Sequence, residues 1–215
     1  MKMKRQTLGA AAGALFLLLC SGIAAGPSRQ AGATGSDTPL RDVTSFEAIA
    51  DSTKRSKALF EEAARVLTHP RCINCHPATR YPTQGDDLHA HIPPMNAGES
   101  GFGPDGMACT TCHGAENRTI VGSRIGSVPG ADPWLLAPAS MAWQGLSVGE
   151  ICMQVKDPER NGDRSLEDLV HHMSDDHLVA WAWHPGDGRT PAPGSQAAFG
   201  ALIAAWVTSG AQCPD

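Results

Sequence analysis

The sequence Cys72-Ile73-Asn74-Cys75-His76 recurs 37 positions later as Cys109-Thr110-Thr111-Cys112-His113, and the rest of the chain is interpreted outward from this pair. Two thiols three positions apart can each form a thioether with one vinyl group of the same porphyrin. The adjacent histidine then lies under the ring, where its nitrogen can ligate the iron. The two motifs therefore predict two covalently bound haem c groups. The attachment residues and proximal ligands would be Cys72, Cys75 and His76 for one haem and Cys109, Cys112 and His113 for the other.

Two C-x-x-C pairs are also compatible with a zinc site or with two redox-active dithiols. A site of four thiolates would leave both motif histidines without a role. Histidine makes up only 9 of the 215 residues, so its appearance after both pairs has a chance frequency of roughly 1 in 500. The haem interpretation is therefore favoured.

The first 25 residues have the three-part pattern of a secretory signal peptide. Three basic residues lie within the first five positions, positions 8–20 form an apolar run, and small residues follow. The run is too short for a comfortable membrane span. Cys20 leaves a lipid anchor as an alternative, but the bulky Leu19 before it disfavours lipidation. We expect export to the periplasm, where haem is attached to such motifs, and no membrane anchor.

The chain after the signal peptide divides into a flexible leader at 26–43, rich in Gly, Ser, Thr and Pro, and a dihaem cytochrome c domain at 44–215. Loss of residues 1–25 removes three of the 17 basic residues and none of the 22 acidic ones. The acidic surface disfavours nucleic acid and suits a basic patch on a redox partner. The short spacing of the motifs predicts that both haems share one small core.

Apolar periodicity predicts a mainly α fold with long loops, and the two haem motifs make a cytochrome c-like helical domain the expected form. A helical stretch is expected from Thr44, with a break near Asp51, to the region of Pro70. Further helices are expected after Ser147, Ser165 and Ser195, and the segment 177–183 favours helix over strand. Proline and glycine between the two motifs predict loops.

The remaining cysteines, Cys152 and Cys213, fit a disulfide in an oxidising compartment, with two free thiols as the alternative. Closing a loop of about 60 residues would stabilise the fold by roughly 4 kcal/mol on the entropic model. Once Cys20 leaves with the signal peptide, no odd thiol remains.

Each iron also needs a sixth ligand or an open position. We expect His91 and His172 to complete the two irons. His91 lies in the loop that must pass between the motifs, and His172 shares a helix face with Leu169. The main rival is Met141, which follows Pro138 in the Pro-then-Met arrangement that many cytochromes use. Further alternatives are His89, His171 and Met173.

With two C-x-x-C-H motifs, an export signal and a short mature length, the chain resembles exported dihaem c-type cytochromes. The stretches at 69–77, 84–86, 107–109 and 178–186 are similar to one narrower group, labelled the cytochrome subunit of isoquinoline 1-oxidoreductase, a molybdenum hydroxylase. The resemblance covers most of the chain after Thr44. It implies the electron-accepting partner of such an enzyme, since the chain has no molybdopterin or iron–sulfur signature and cannot be the hydroxylating subunit.

Three functions compete at this point. An electron carrier between a dehydrogenase and an oxidase is favoured, and no catalytic residue is expected. A small dihaem peroxidase-like enzyme would need an open iron, and such enzymes are usually longer, with each haem in its own domain. A haem-based sensor would need an attached signalling domain.

Overall fold

Helices dominate the fold, as the sequence predicted. The computed structural model describes residues 39–117, 134–186 and 188–215, of which 46% are helical and 2% lie in strands. The predicted signal peptide at 1–25 and positions 26–38 of the predicted leader lie outside the described residues.

The described residues form α-helices of very different length, interrupted by single turns. The α-helices are α1 (Ser52–Leu67), α2 (Pro70–Ile73), α3 (Val148–Lys156), α4 (Pro158–Asn161), α5 (Leu166–Asp175), α6 (His177–Ala180) and α7 (Gln196–Thr208). The 3-10 helices are Val43–Phe46, Cys109–Thr111, Ala139–Met141 and Trp181–Trp183. Between the motifs, β1 (Thr83–Gln84) and β2 (His89–Ala90) pair antiparallel in a small hairpin that the sequence analysis did not anticipate.

Serine side chains start three of the helices, as predicted. Ser147 Oγ accepts a hydrogen bond from the Glu150 amide (3.2 Å), and the Glu150 carboxylate accepts one from the Ser147 amide (2.7 Å). Ser165 forms the same reciprocal box with Asp168 at the start of α5. Ser195 caps α7. These side chains satisfy amides that have no partner within the first helical turn.

The first long helix begins later than predicted. Asp51 Oδ1 accepts from the Lys54 amide (2.9 Å) and caps α1, which therefore starts at Ser52. Thr44 does not open a long helix. Asp42 caps a 3-10 turn there by accepting from the Thr44 amide (2.9 Å). Aspartate is a strong N-cap because its short side chain places a carboxylate oxygen next to the first free amides of a helix.

The last residues of the predicted leader are held against α1 rather than flexible. Arg65 donates to the Pro39 carbonyl (3.1 Å), and the Arg41 amide donates to Glu62 Oε1 (3.0 Å). The sequence pattern missed this because the partners are side chains more than 20 positions away. The folded part of the chain therefore starts before the predicted boundary at 44.

Helix α7 lies at the centre of the main core and packs against α1 and α5. Trp206, Leu202 and Ile203 are fully buried on it, and the Trp206 ring lies 4.9 Å from that of Phe60 on α1. Gly200 allows the close approach of α5, since a Cβ there would clash with Ser174.

The two motifs contact different hydrophobic clusters, and the sharing of one core by both haems stays a prediction. Ile73 belongs to the large cluster of α1, α3, α5 and α7. Cys109 belongs to a small second cluster with Ala97, Trp134 and Leu136. Leu178 packs against the second cluster from α6.

The structure joins Cys152 to Cys213, as predicted, and so ties α3 to the C-terminal residues. Among the described ranges, no helix is both long and apolar enough to cross a membrane.

Candidate functional site

The first motif lines a cavity of about 120 Å³ beside the main core. Cys72 lies on α2. His69 caps the start of this helix, because its Nδ1 accepts a hydrogen bond from the Arg71 amide (3.2 Å). Proline at the first helical position suits this turn because its missing N–H would be unsatisfied there anyway. Cys72, Cys75 and His76 all line the cavity.

The ring of His76 is fixed in both orientation and tautomer. Its Nδ1 donates to the carbonyl of Met141 (2.6 Å), which leaves Nε2 as a bare nitrogen. The ring of Trp143 stacks on it at 3.7 Å between centroids, with an angle of 4° between the planes. Burial lowers the pKa of His76 to about 4, so the imidazole is neutral near pH 7. A neutral imidazole with Nδ1 anchored in this way is the form that binds metals.

Trp143 is itself held by buried polar contacts. Its indole Nε1 donates to Gln154 Oε1 (2.5 Å), and Gln154 Nε2 donates to the carbonyl of Arg160 (2.6 Å). The Trp143 amide also donates to the carbonyl of His76 (3.0 Å). Sequence reasoning missed Trp143 and Gln154, because they lie far along the chain in no recognisable motif.

Three of the predicted distal ligands line the first cavity: His172, Met173 and Met141. His172 Nδ1 hydrogen-bonds to the carboxylate of Asp176 (3.1 Å), which again leaves Nε2 available. His171 points elsewhere. It is exposed, pairs with Asp175 (2.8 Å) and does not line the cavity.

The second motif lines another cavity, of about 80 Å³, whose walls come mostly from loops. Cys109, Cys112 and His113 lie there together with His91. The predicted alternative His89 does not line it. Its ring is bound to the carboxylate of Asp87 at 2.5 Å and is exposed.

His91 faces His113 across this cavity. The two ring centroids lie 6.0 Å apart. His91 Nδ1 donates to the carbonyl of Pro93 (2.8 Å), so this hydrogen bond does not use its Nε2. Two imidazoles that share one metal ion at metal–nitrogen distances of about 2 Å have centroids roughly 6 Å apart. The geometry therefore suits one metal ion between two histidines.

The second cavity repeats the stacked tryptophan of the first. Trp134 lies on the ring of His113 at 4.3 Å between centroids and 14° between planes. Burial lowers the pKa of His113 to about 4, and His91 and Arg189 act in the same direction. The Trp134 indole N–H is buried without a hydrogen-bond partner among the described residues. Each motif histidine is thus neutral and held flat against an indole ring.

The motif thiols are not cross-linked to one another. Cys72, Cys75, Cys109 and Cys112 are all free. Burial raises the pKa of Cys72 to about 12 and that of Cys75 to about 11. The two pairs line different cavities and so do not form one four-thiolate site. In the part of the chain that the structure describes, no group of three or more His, Cys, Asp or Glu side chains is arranged to hold a bare metal ion.

The segment of α6 and the following 3-10 turn contacts both sites. Leu178 lines the first cavity and also packs on the cluster that contains Cys109. Trp181 lines the first cavity, and its indole Nε1 donates to Asn117 Oδ1 (3.0 Å), four residues beyond His113. One short segment therefore links the walls of the two cavities.

Residues beyond the motifs thus complete each site, and only the histidines among them carried a signal in the sequence. A histidine can be found as a candidate ligand by its chemistry, whereas the stacked tryptophans are recognisable only once the fold is known. The chain matches no protein-family model, no curated protein and no solved structure.

Proposed function

We propose that the protein is a dihaem c-type cytochrome that carries electrons between redox partner proteins. The observation that carries the proposal is the pairing of His91 with His113, 6.0 Å apart, beside the two thiols of a C-x-x-C-H motif. A covalent haem needs these thiols and one axial histidine, and a second histidine at this distance suits its other face.

The residues present fit one haem in each cavity. When bound, each haem iron supplies one-electron chemistry by cycling between its ferric and ferrous states. Cys72 and Cys75 would hold one porphyrin and Cys109 and Cys112 the other. His76 and His113 serve as proximal ligands, and burial keeps both rings neutral.

His172 is the preferred distal ligand at the first site. Its ring lies in the same cavity as His76, and the pKa of His76, lowered mainly by burial, is lowered further by His172. The rival Met141 uses its own carbonyl to hold Nδ1, on the side of the His76 ring that faces away from the bare Nε2. His172 on α5 is our choice, with Met141 and Met173, which line the same cavity, as the alternatives.

If a histidine bound each face of a haem, no coordination position would stay open, which would favour electron transfer over peroxidase or sensor chemistry. An excess of acidic residues suits a basic partner surface. We propose periplasmic location and, from the resemblance of the sequence, a molybdenum hydroxylase-type dehydrogenase as a donor of electrons.

The experiment is expression with a haem-ligation system, followed by mass measurement after denaturation. We expect the mass of two haems to remain attached, and only one after replacing Cys109 and Cys112 with alanine. Ferric spectra should be low-spin, and His91→Ala should give one high-spin haem whereas the matched control His89→Ala should not. A colourless protein that contains zinc would refute the proposal. A high-spin population in the unaltered protein would favour an enzyme.

A further inference from the structure

A buried guanidinium with unused hydrogen-bond donors borders the first cavity. The side chain of Arg71 is 0% exposed and lines the same cavity as Cys72 and His76. Its Nη2 donates to the carbonyl of Gly85 (3.0 Å) and to Asp86 Oδ1 (2.5 Å). Nε and Nη1 are buried and have no hydrogen-bond partner among the described residues. Since every guanidinium nitrogen carries at least one N–H donor, this side of Arg71 is prepared for an acceptor.

Positive charge exceeds negative charge around Arg71. The carboxylate of Asp86 is 45% exposed and is shared with Thr190, whose hydroxyl donates to it (2.7 Å). Burial lowers the pKa of Arg71, Asp86 acts against this, and the charge of Arg189 adds to it. A buried cation that is only partly paired is strongly unfavourable. A further anion in the cavity would correct the imbalance.

We propose that Arg71 binds a haem propionate in the first cavity. The inference rests on the proposed function, because it takes haem to be the occupant. The propionates are the anionic substituents of the porphyrin, and a guanidinium forms its strongest hydrogen bonds with carboxylates. Arg71 therefore serves both as a binding residue and as a charge next to the redox centre.

The charge of Arg71 should raise the reduction potential of the adjacent haem. Ferric iron carries one more positive charge than ferrous iron, so a nearby cation disfavours the ferric state. Asp86 has the opposite charge and the opposite effect. The effects of Arg71 and Asp86 on the reduction potential can therefore be distinguished by experiment, although replacing either residue breaks the same salt bridge.

The test is a spectroelectrochemical titration of the purified dihaem protein and three variants. In Arg71→Met we expect one of the two midpoint potentials to fall by about 59 mV. This corresponds to a roughly tenfold change in the ferric-to-ferrous ratio at a given potential. Arg71→Lys, which keeps the charge, should recover at least half of that shift. The matched control Asp86→Asn removes the other half of the salt bridge and should leave the midpoint unchanged or raise it.

Equal falls of the midpoint potential in Arg71→Met and Asp86→Asn would overturn the proposal, because they would show that Arg71 acts only through its salt bridge with Asp86. Unmoved midpoints in Arg71→Met, or equal shifts of both haems, would also overturn it. If Arg71→Met does not fold, Asp86→Asn decides: a rise or no change supports the proposal and a fall refutes it. A protein without any haem refutes the proposed function instead, so the two failures are distinguishable.

Discussion

Reduction of the bond between Cys152 and Cys213 should destabilise the fold by about 4 kcal/mol. The two residues are separated by 61 positions. Opening a loop of this size restores chain entropy to the unfolded state, which corresponds to about 4 kcal/mol at 25 °C on the entropic model. This is a large part of the roughly 5–15 kcal/mol by which a typical domain is stable against unfolding.

The native contacts near the bond explain why this loss arises mainly in the unfolded state. Lys156 Nζ donates to the carbonyl of Ala211 (2.7 Å), and the Gln212 amide donates to Ser56 Oγ (2.9 Å). These bonds hold the C-terminal residues in place without the disulfide. The folded state should therefore keep its shape when the bond opens.

The assay is urea unfolding of the haem-loaded protein with and without a thiol reductant. Reduction keeps both side chains and leaves thioethers intact, so it isolates the cross-link from any loss of packing. The double variant Cys152→Ala, Cys213→Ala serves as the control and should not respond to reductant. A change below about 1 kcal/mol on reduction of the unaltered protein would refute the reasoning, as would recovery of both thiols free under non-reducing conditions.

Three further predictions concern single side chains. His172→Ala should convert one haem to a high-spin or His/Met form, seen by electron paramagnetic resonance, whereas its neighbour His171→Ala should leave both haems low-spin. Burial lowers the pKa of His69 to about 4, so the stability that its neutral form provides is present above pH 6.5 and is lost as pH falls toward 4, by about 3 kcal/mol in total. His69→Asn keeps a capping group, and its urea midpoint should change less with pH over this range. Gly200→Ala should destabilise by about 1–3 kcal/mol in the same unfolding assay, because the methyl group meets Ser174 across the packed helices.

Each of these predictions has a contradicting result. Low-spin spectra unchanged in His172→Ala would remove that residue as a ligand and direct attention to Met173. Equal acid sensitivity of His69→Asn and the unaltered protein would show that burial of this imidazole does not control stability. An unchanged midpoint in Gly200→Ala would mean that α5 and α7 can separate without loss.

Local signals predicted the helices well and the boundaries of the folded region less well. Serine with an acidic residue three positions later defined the starts of α3 and α5, since a helix cap depends only on its near neighbours. The same pattern at Thr44 was misleading, because Asp42 accepts from the Thr44 amide at a short 3-10 turn, and Asp51 accepts from the Lys54 amide and starts α1. Partners distant in sequence, such as Arg65 for the carbonyl of Pro39, leave no local pattern.

In the candidate site, too, the sequence predicted some residues and missed others. Both motifs could be recognised because covalent attachment requires fixed spacing, and His91 could be proposed because few histidines lie between them. Trp134 and Trp143 could not be assigned, since nothing in the sequence relates an indole to a histidine 21 or 67 positions before it. Arg71 lies next to a motif cysteine, but its unpaired nitrogens are a property of the folded packing alone.

Burial of the motif thiols affects how the chain matures. Disulfide exchange proceeds through the thiolate, so its rate depends on the ionised fraction of each cysteine. With a pKa of about 12, the thiol of Cys72 is ionised in only about 1 in 100,000 molecules at pH 7, against roughly 1 in 100 for an ordinary cysteine. The low ionised fraction of Cys72 thus slows disulfide exchange at this cysteine. An oxidant can close the Cys152–Cys213 bond while Cys72 and Cys75 stay reduced, and the same low ionised fraction also slows their alkylation.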